Sequence, residues 1–181
     1  MRRVAVTLVA SSLVLVGGCA GGGRGGGGAS VPAASVAPAA ISPLIVSAAA
    51  YVATASSIDL FQVKSAELAL QRSQDPALRD FAGRALSAHK GTSAQLSFAG
   101  RRLNLLPTAT LNSEHQAMLD ALASAGDFDK LYRAQENIVL QEGLRLHAGY
   151  AKGGESPTLR PVAANAENVM RANLSALRRS R

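Results

Sequence analysis

The chain has 181 residues, enough for one domain of ordinary size with accessory segments. Aromatic residues make up 4% and tryptophan is absent, so a core must be built from Leu, Ala, Val and Ile, which suits closely packed helices. The formal net charge is +7, or +5 without Arg2 and Arg3. The basic residues are scattered and stacking groups are few, so we expect no nucleic-acid partner.

The first 18 residues have the pattern of an export signal. Arg2 and Arg3 form a charged start, and the apolar run from Val4 to Val16 is too short to span a bilayer comfortably. The tetrad Val16-Gly17-Gly18-Cys19 then resembles the lipobox of bacterial lipoproteins. That resemblance implies cleavage before Cys19 and a covalent lipid on its sulfur. The alternative is an ordinary secretory signal with an incidental thiol.

Residues 19–43 are predicted to be a lipidated cysteine and a flexible linker, because they are almost entirely Gly, Ala, Ser and Pro. Ala20, next to the cysteine, implies the outer membrane by the sorting preference known for such lipoproteins, if the cell has one. The expected address is therefore the cell envelope, facing the periplasm. The expected partners are the membrane, through the lipid anchor, and an unidentified envelope protein.

Residues 44–181 show the three- and four-residue apolar spacing of amphipathic helices. A first helix is expected from about residue 44 to Arg72, and low helix propensity from Thr54 to Ile58 leaves its continuity open. Asp75 and Pro76 are the predicted cap and first residue of a second helix ending near Leu103. The remaining helices are expected at 113–124, at 128 to about 151, and from a cap at Ser156 onward.

The opening of the second helix recurs late in the chain, as Ser156-Pro157-Thr158-Leu159-Arg160. The recurrence favours two helical hairpins related by duplication. Tight turns make the partners of each hairpin antiparallel neighbours. The predicted fold is all-α: an up-down four-helix bundle, ferritin-like, with a short extra helix in the middle connection.

The chain resembles a bacterial family known as domain of unknown function 4142, placed in the ferritin-like group of bundles. The similarity covers roughly residues 44 to 178, and the family implies an exported bundle, often a lipoprotein, with no established activity. It rests on Ser57-Ile58-Asp59-Leu60-Phe61, Leu68-Ala69-Leu70, Asp75-Pro76-Ala77-Leu78-Arg79-Asp80-Phe81-Ala82, His89, Ala134-Gln135 and Leu146-His147-Ala148-Gly149-Tyr150-Ala151.

Ferritin-like bundles often hold two metals with carboxylates and repeated Glu-x-x-His pairs. No Glu-x-x-His occurs in this sequence. Of the histidines common in the family, His89 is kept, while later positions fall on Leu140 and Asn173. We therefore expect no cofactor other than the lipid on Cys19. The remaining candidate metal ligands are His89, Asp59 and Glu142.

The apolar stripes include several polar side chains, which form either a buried hydrogen-bond network or a mixed-ligand metal or proton-handling site. His115 is expected to be a solvated surface residue and His147 to point toward the rim. No Ser/His/Asp catalytic arrangement is supported, because no nucleophile stands in a sharp glycine turn. The residues placed in the stripes are Asp59, Glu67, His89, Gln135, Glu142 and Asn173.

Three functions fit these observations. The first is an exported, lipid-anchored envelope protein whose bundle is a non-catalytic binding or structural module. The second is a degenerate ferritin-like metal-binding or stress-response protein that uses His89 with Asp59 or Glu142. The third is a bundle that binds lipid surfaces through its apolar faces.

Overall fold

The computed structural model describes residues 46–180. The predicted signal peptide 1–18, the lipid site Cys19 and the whole of the linker 19–43 lie outside the described residues. The described part belongs to a compact unit, Ser42–Arg181. No helix in residues 46–180 combines the length and apolar character needed to cross a bilayer.

Residues 46–180 form five α-helices and no strand, which confirms the all-α fold class. The short helix begins and ends at the residues predicted from the sequence, 113 and 124. The helices are α1 (Ala48–Arg72), α2 (Pro76–Arg101), α3 (Ser113–Ser124), α4 (Phe128–Gly153) and α5 (Arg160–Arg179).

The first helix begins later than predicted and is continuous. Ser47 caps α1 by accepting a hydrogen bond from the Ala50 N–H, so the helix starts at Ala48 rather than near residue 44. The weak stretch from Thr54 to Ile58 remains helical because most of it is buried against other helices. Tertiary packing overrides the low local propensity.

The last helix also begins later than its predicted cap. Ser156 and Pro157 lie in a short turn, and α5 starts at Arg160 with Pro161 in its first turn. A proline costs no hydrogen bond there, because the first N–H groups of a helix have no intrahelical partner. Asp75, by contrast, caps α2 as predicted, accepting from the Ala77 and Leu78 N–H groups.

The four long helices form a bundle with one long crossover. Each helix is antiparallel to its neighbours, since Tyr51 near the start of α1 stacks on Tyr150 near the end of α4. The connection between α2 and α4 therefore runs the length of the bundle, which makes these two helices parallel, as in ferritin-like folds. The helix α3 lies in this crossover and packs against α1 and α4.

The crossover is attached at both ends of α3. At its start, the Asn112 N–H donates to Ser57 Oγ over 2.9 Å. At its end, the Arg72 guanidinium donates to the carbonyls of Leu122, at 3.0 Å, and Ala123, at 2.6 Å. The two bonds from Arg72 satisfy carbonyls at the end of α3 that have no partner within the helix.

Apolar residues fill two buried clusters along the bundle axis. The larger cluster contains Phe61, Phe81 and Tyr132, and the smaller one lies around Tyr51 and Tyr150. The smaller cluster occupies the end of the bundle where α1 and α5 begin and α2 and α4 end. Because both cores lie within residues 42–181, this unit can be produced by itself.

The two glycines of α2 at positions 91 and 100 predict opposite responses to alanine. A Cβ at Gly100 would lie 2.2 Å from the Leu105 carbonyl oxygen, whereas a Cβ at Gly91 meets nothing within 4 Å. We expect Gly100→Ala to lower the free energy of unfolding by about 1–3 kcal/mol through overpacking. Gly91→Ala should raise it by about 0.5–1 kcal/mol. Urea unfolding of both variants checks this, and equal effects would contradict the packing described.

Candidate functional site

The polar side chains of α1 connect it to three other helices. Five polar side chains of α1 are buried: Tyr51, Ser57, Asp59, Gln62 and Ser65. Buried polar groups cost free energy unless they find partners. Four of the five side chains have partners on other helices, and these contacts define the polar sites of the bundle.

A central network joins α1, α2 and α5 at Asp59, His89, Thr92 and Asn173. His89 Nδ1 lies 2.8 Å from Asp59 Oδ1, and Thr92 Oγ1 donates to the same oxygen over 2.8 Å. Because a carboxylate only accepts, Nδ1–H of His89 is the donor. Nε2 of His89 then accepts from the Asn173 amide at 3.0 Å. The structure therefore brings together His89, Asp59 and Asn173, all placed in the interior by sequence.

His147 is buried beside this network, which makes the prediction of a rim position wrong. Its side chain is 2% exposed, and Nδ1 lies 3.0 Å from the Tyr51 hydroxyl. Nε2 has no hydrogen-bond partner. Burial lowers the pKa of His147 to about 4, an effect that Asp59 opposes and His89 reinforces. A neutral imidazole with a free buried nitrogen is therefore present at neutral pH.

His115 is 1% exposed, so the prediction of a solvated residue is also wrong. Nε2 of His115 lies 3.1 Å from Glu142 Oε2, and Nδ1 lies 2.7 Å from Ser57 Oγ. The long crossover explains the difference, because it carries α3 against α1 and α4. Glu142 accordingly pairs with His115 and takes no part in the central network.

The hydrogen-bonded side chains of Ser57, His115 and Glu142 provide the hydroxyl, imidazole and carboxylate of a hydrolase triad. Ser57 is only 2% exposed, lies inside α1, and already accepts the Asn112 N–H. No strained turn presents its hydroxyl to a substrate. The three residues hold the crossover against the bundle.

A further polar cluster lies between α1 and α4, and sequence analysis did not identify its acid. Glu136 is fully buried and accepts from Ser65 Oγ at 2.7 Å. The Gln62 amide and the Tyr132 hydroxyl lie buried without a hydrogen-bond partner, as does Glu136 Oε2. Burial raises the pKa of Glu136 to about 8, against the opposing effect of the hydrogen bond from Ser65.

The missed residues share one face of α4, displaced by one position from the predicted stripe. Tyr132, Glu136, Leu140, Gly143 and His147 recur at steps of four and three and are all buried. The stripe predicted from the sequence was right in part: its members Phe128, Gln135, Val139 and Tyr150 are buried, whereas Ile138 is 53% exposed. The other members of that stripe are Leu131, Glu142 and Leu146. The prediction missed Glu136 and His147 because apolar content was used to choose between two equally spaced faces.

Two other predicted interior residues have separate outcomes. Gln135 is buried and donates to the Met118 carbonyl at 2.9 Å. Glu67 lies on the surface, 3.6 Å from Lys90 Nζ. Within residues 46–180, no three His, Cys, Asp or Glu side chains are grouped so that they could hold a metal ion together.

The family described as "Domain of unknown function (DUF4142)" matches residues 31–179. The chain belongs to the DUF4142 family. The family resemblance drawn from the sequence is thereby confirmed. Among curated proteins, no significant match is found.

Two solved structures have a similar fold. One is titled "CopM in the Cu(II)-bound form", with a TM-score of 0.61 and 18% identity, covering 72% of this chain and 92% of that one. The other is titled "CopM in the Cu(I)-bound form", with a TM-score of 0.60 and 17% identity, covering 71% and 91%. At this identity the similarity establishes the fold.

These structures contradict the expectation that no cofactor is bound. That expectation rested on the missing Glu-x-x-His pairs, which are the ligands of a carboxylate-rich di-metal centre. A fold of this class holds copper in two oxidation states in the CopM structures. Copper also accepts imidazole and thioether ligands, so the absence of one motif does not exclude metal binding.

Glu136 predicts a specific pH dependence of stability. Its pKa is raised from 4.5 to about 8, so the folded protein retains a proton that the unfolded chain has released. The free energy of unfolding should therefore fall with rising pH, by about 2 kcal/mol between pH ~6.5 and ~8. Below pH ~6.5 the neutral His147 acts in the opposite sense, because its pKa is lowered from 6.5 to about 4.

Urea unfolding at several pH values measures this slope. Glu136→Gln should remove most of the fall between pH ~6.5 and ~8, because an amide does not ionise. Glu114→Gln, at an exposed position of α3, is the matched control and should keep the slope of the wild type. A slope that survives Glu136→Gln would show that another group is responsible.

Proposed function

We propose that this chain is an exported, lipid-anchored envelope protein whose bundle is a non-catalytic binding module for copper. His147 is the proposed first ligand. The lipid anchor at Cys19 and the copper site in the bundle are two independent parts of this proposal. Each part has its own support and its own experiment.

The anchor is supported by the first 19 residues. A charged start, a short apolar run and Gly17-Gly18-Cys19 form the pattern that lipoprotein processing requires. Two or more acyl chains would hold the protein stably on a bilayer, whereas one chain binds only marginally. Cys19 is the only cysteine, so a disulfide within the chain is excluded.

The observation that carries the binding proposal is the free Nε2 of His147. This nitrogen is buried, has no hydrogen-bond partner, and belongs to an imidazole whose pKa of about 4 keeps it neutral. A neutral imidazole binds metal through the nitrogen that carries no proton, which is Nε2 when the Nδ1–H of His147 donates to the Tyr51 hydroxyl, and imidazole suits copper. Buried polar atoms without a partner are uncommon in folded proteins, so this one calls for an explanation.

Other groups near His147 have suitable chemistry. Asp59 and His89 are close enough for their charges to act on the pKa of His147. Met170, a soft thioether, packs against Gly143, which lies one turn before His147 on α4. Both His89 nitrogens have partners, so a second ligand from the central network would require its side chains to rearrange.

Copper titration of the unit 42–181 tests the proposed copper site. We expect Cu(II), and Cu(I) under reducing conditions, to bind in competition with a chelator of known affinity. His147→Gln should weaken binding about tenfold or more, because it removes the free ligand nitrogen. His115→Gln removes an imidazole whose two nitrogens both have partners, and should change affinity less than threefold.

Absence of binding, or equal loss in the two variants, would refute His147 as the ligand. Circular dichroism shows that each variant is folded. Zinc, titrated in parallel, tells copper preference from general imidazole binding.

Labelling of the full chain in a bacterial host with a fatty-acid analogue tests the anchor. The wild type should incorporate the label and fractionate with membranes. Cys19→Ser should lose the label, because a hydroxyl does not replace the thioether sulfur. Label retained in Cys19→Ser would refute the attachment site, whatever the copper titration gives.

A further inference from the structure

Three exposed apolar side chains lie at one end of the bundle. Phe98 and Leu106 are each 69% exposed and Val46 is 41% exposed. Among residues 46–180 only one other large apolar side chain is comparably exposed, Ile138, which lies in the middle of α4. We call this end, where α1 and α5 begin and α2 and α4 end, the tether-end face.

Phe98 also forms one wall of an open groove between the end of α2 and the start of α5. The groove has a volume of about 530 Å³ and is bordered by Ala99, Arg102, Pro161 and Val162. Its lining is mostly apolar, with a cation at one edge. A patch of this kind on a soluble bundle marks a contact surface.

The charged groups of the tether-end face are mainly positive. Arg101, Arg102, Lys152 and Arg160 are exposed there, and none of them forms an ion pair within residues 46–180. Among the described residues of this face the one acid is Glu155, whose carboxylate accepts the Ala48 N–H at 2.7 Å.

The opposite end of the bundle has mixed charge, because four acids lie there beside several arginines. The acids are Asp75, Asp80, Asp127 and Asp129, and the arginines include Arg72, Arg79, Arg133, Arg178 and Arg179.

The chain enters the bundle at this same face, because α1 begins at Ala48. A coil of about 25 residues has a root-mean-square end-to-end distance of about 30 Å. A bundle attached through Cys19 would therefore present the tether-end face within reach of the bilayer. This step rests on the proposed lipid anchor.

We propose that the tether-end face binds the surface of an anionic membrane. Phe98 and Leu106 would enter the interfacial layer, and Arg101 and Arg102 would lie near the phosphates of the lipid headgroups. A lipid surface fits these residues better than an acidic protein does, because the exposed apolar groups and the cations surround the point where the anchored chain enters. The lipid anchor would then keep the tether-end face at a high effective concentration near the bilayer, so that even weak contacts of this face would form.

Vesicle sedimentation with the unit 42–181 tests the proposal without any acyl chain. Vesicles of phosphatidylcholine with about 30% phosphatidylglycerol should bind the wild type, and vesicles of phosphatidylcholine alone should bind it at least fivefold less. Phe98→Ser with Leu106→Ser should reduce binding about tenfold. Ile138→Ser, at an exposed apolar site elsewhere on the bundle, is the matched control and should leave binding unchanged.

A second pair of variants tests the charges. Arg101→Gln with Arg102→Gln should reduce binding and its salt dependence. Arg178→Gln with Arg179→Gln removes the same charge from the opposite end and should have little effect. Circular dichroism confirms that each variant is folded.

Absence of wild-type binding to anionic vesicles, or equal loss in target and control variants, would overturn the proposal. Binding to an envelope protein instead of vesicles would do so as well. These outcomes are independent of the proposed function, because the vesicle assay uses no lipid anchor and no copper. Failure of the labelling experiment with successful vesicle binding would refute the anchor alone.

Discussion

The burial of the Asp59 carboxylate constrains the whole bundle. A carboxylate at 2% exposure is strongly destabilising unless donors surround it, and His89 and Thr92 of α2 supply them. The Asn173 amide of α5 then bonds the far nitrogen of His89. This chain of bonds sets the axial positions of α1, α2 and α5, since a shift of one residue would leave a buried charge without partners.

The need of buried polar groups for partners also explains how the long crossover is held against the bundle. Ser57 and His115 bind each other inside the fold, and Glu142 accepts from the outer nitrogen of His115. Arg72 holds the other end of α3 through carbonyl oxygens. The crossover is thus held by polar contacts in addition to the apolar packing of Leu122, which is fully buried in the larger cluster. A hydroxyl–imidazole–carboxylate series can therefore be a structural support where it lacks access to a substrate.

His147 and Glu136 depart from this pattern of satisfied groups. His147 retains a free nitrogen and Glu136 a free oxygen, both buried on the same face of α4. Burial raises the pKa of Glu136 and lowers the pKa of His147, so both side chains are neutral near pH 7. A neutral ligand nitrogen suits copper capture, whereas a protonated acid stabilises a core. Similar burial of two titratable groups thus leads to different roles.

The sequence by itself determined the helical class, the cap at Asp75, the short α3, and the interior positions of Asp59, His89 and Asn173. These follow from local capping chemistry and from three- and four-residue spacing, which depend on neighbours along the chain. Only the tertiary structure decided the burial of His115, Glu136 and His147 and the pairing of Glu142 with His115. Each of these depends on which helix packs alongside, and no local pattern contains that information.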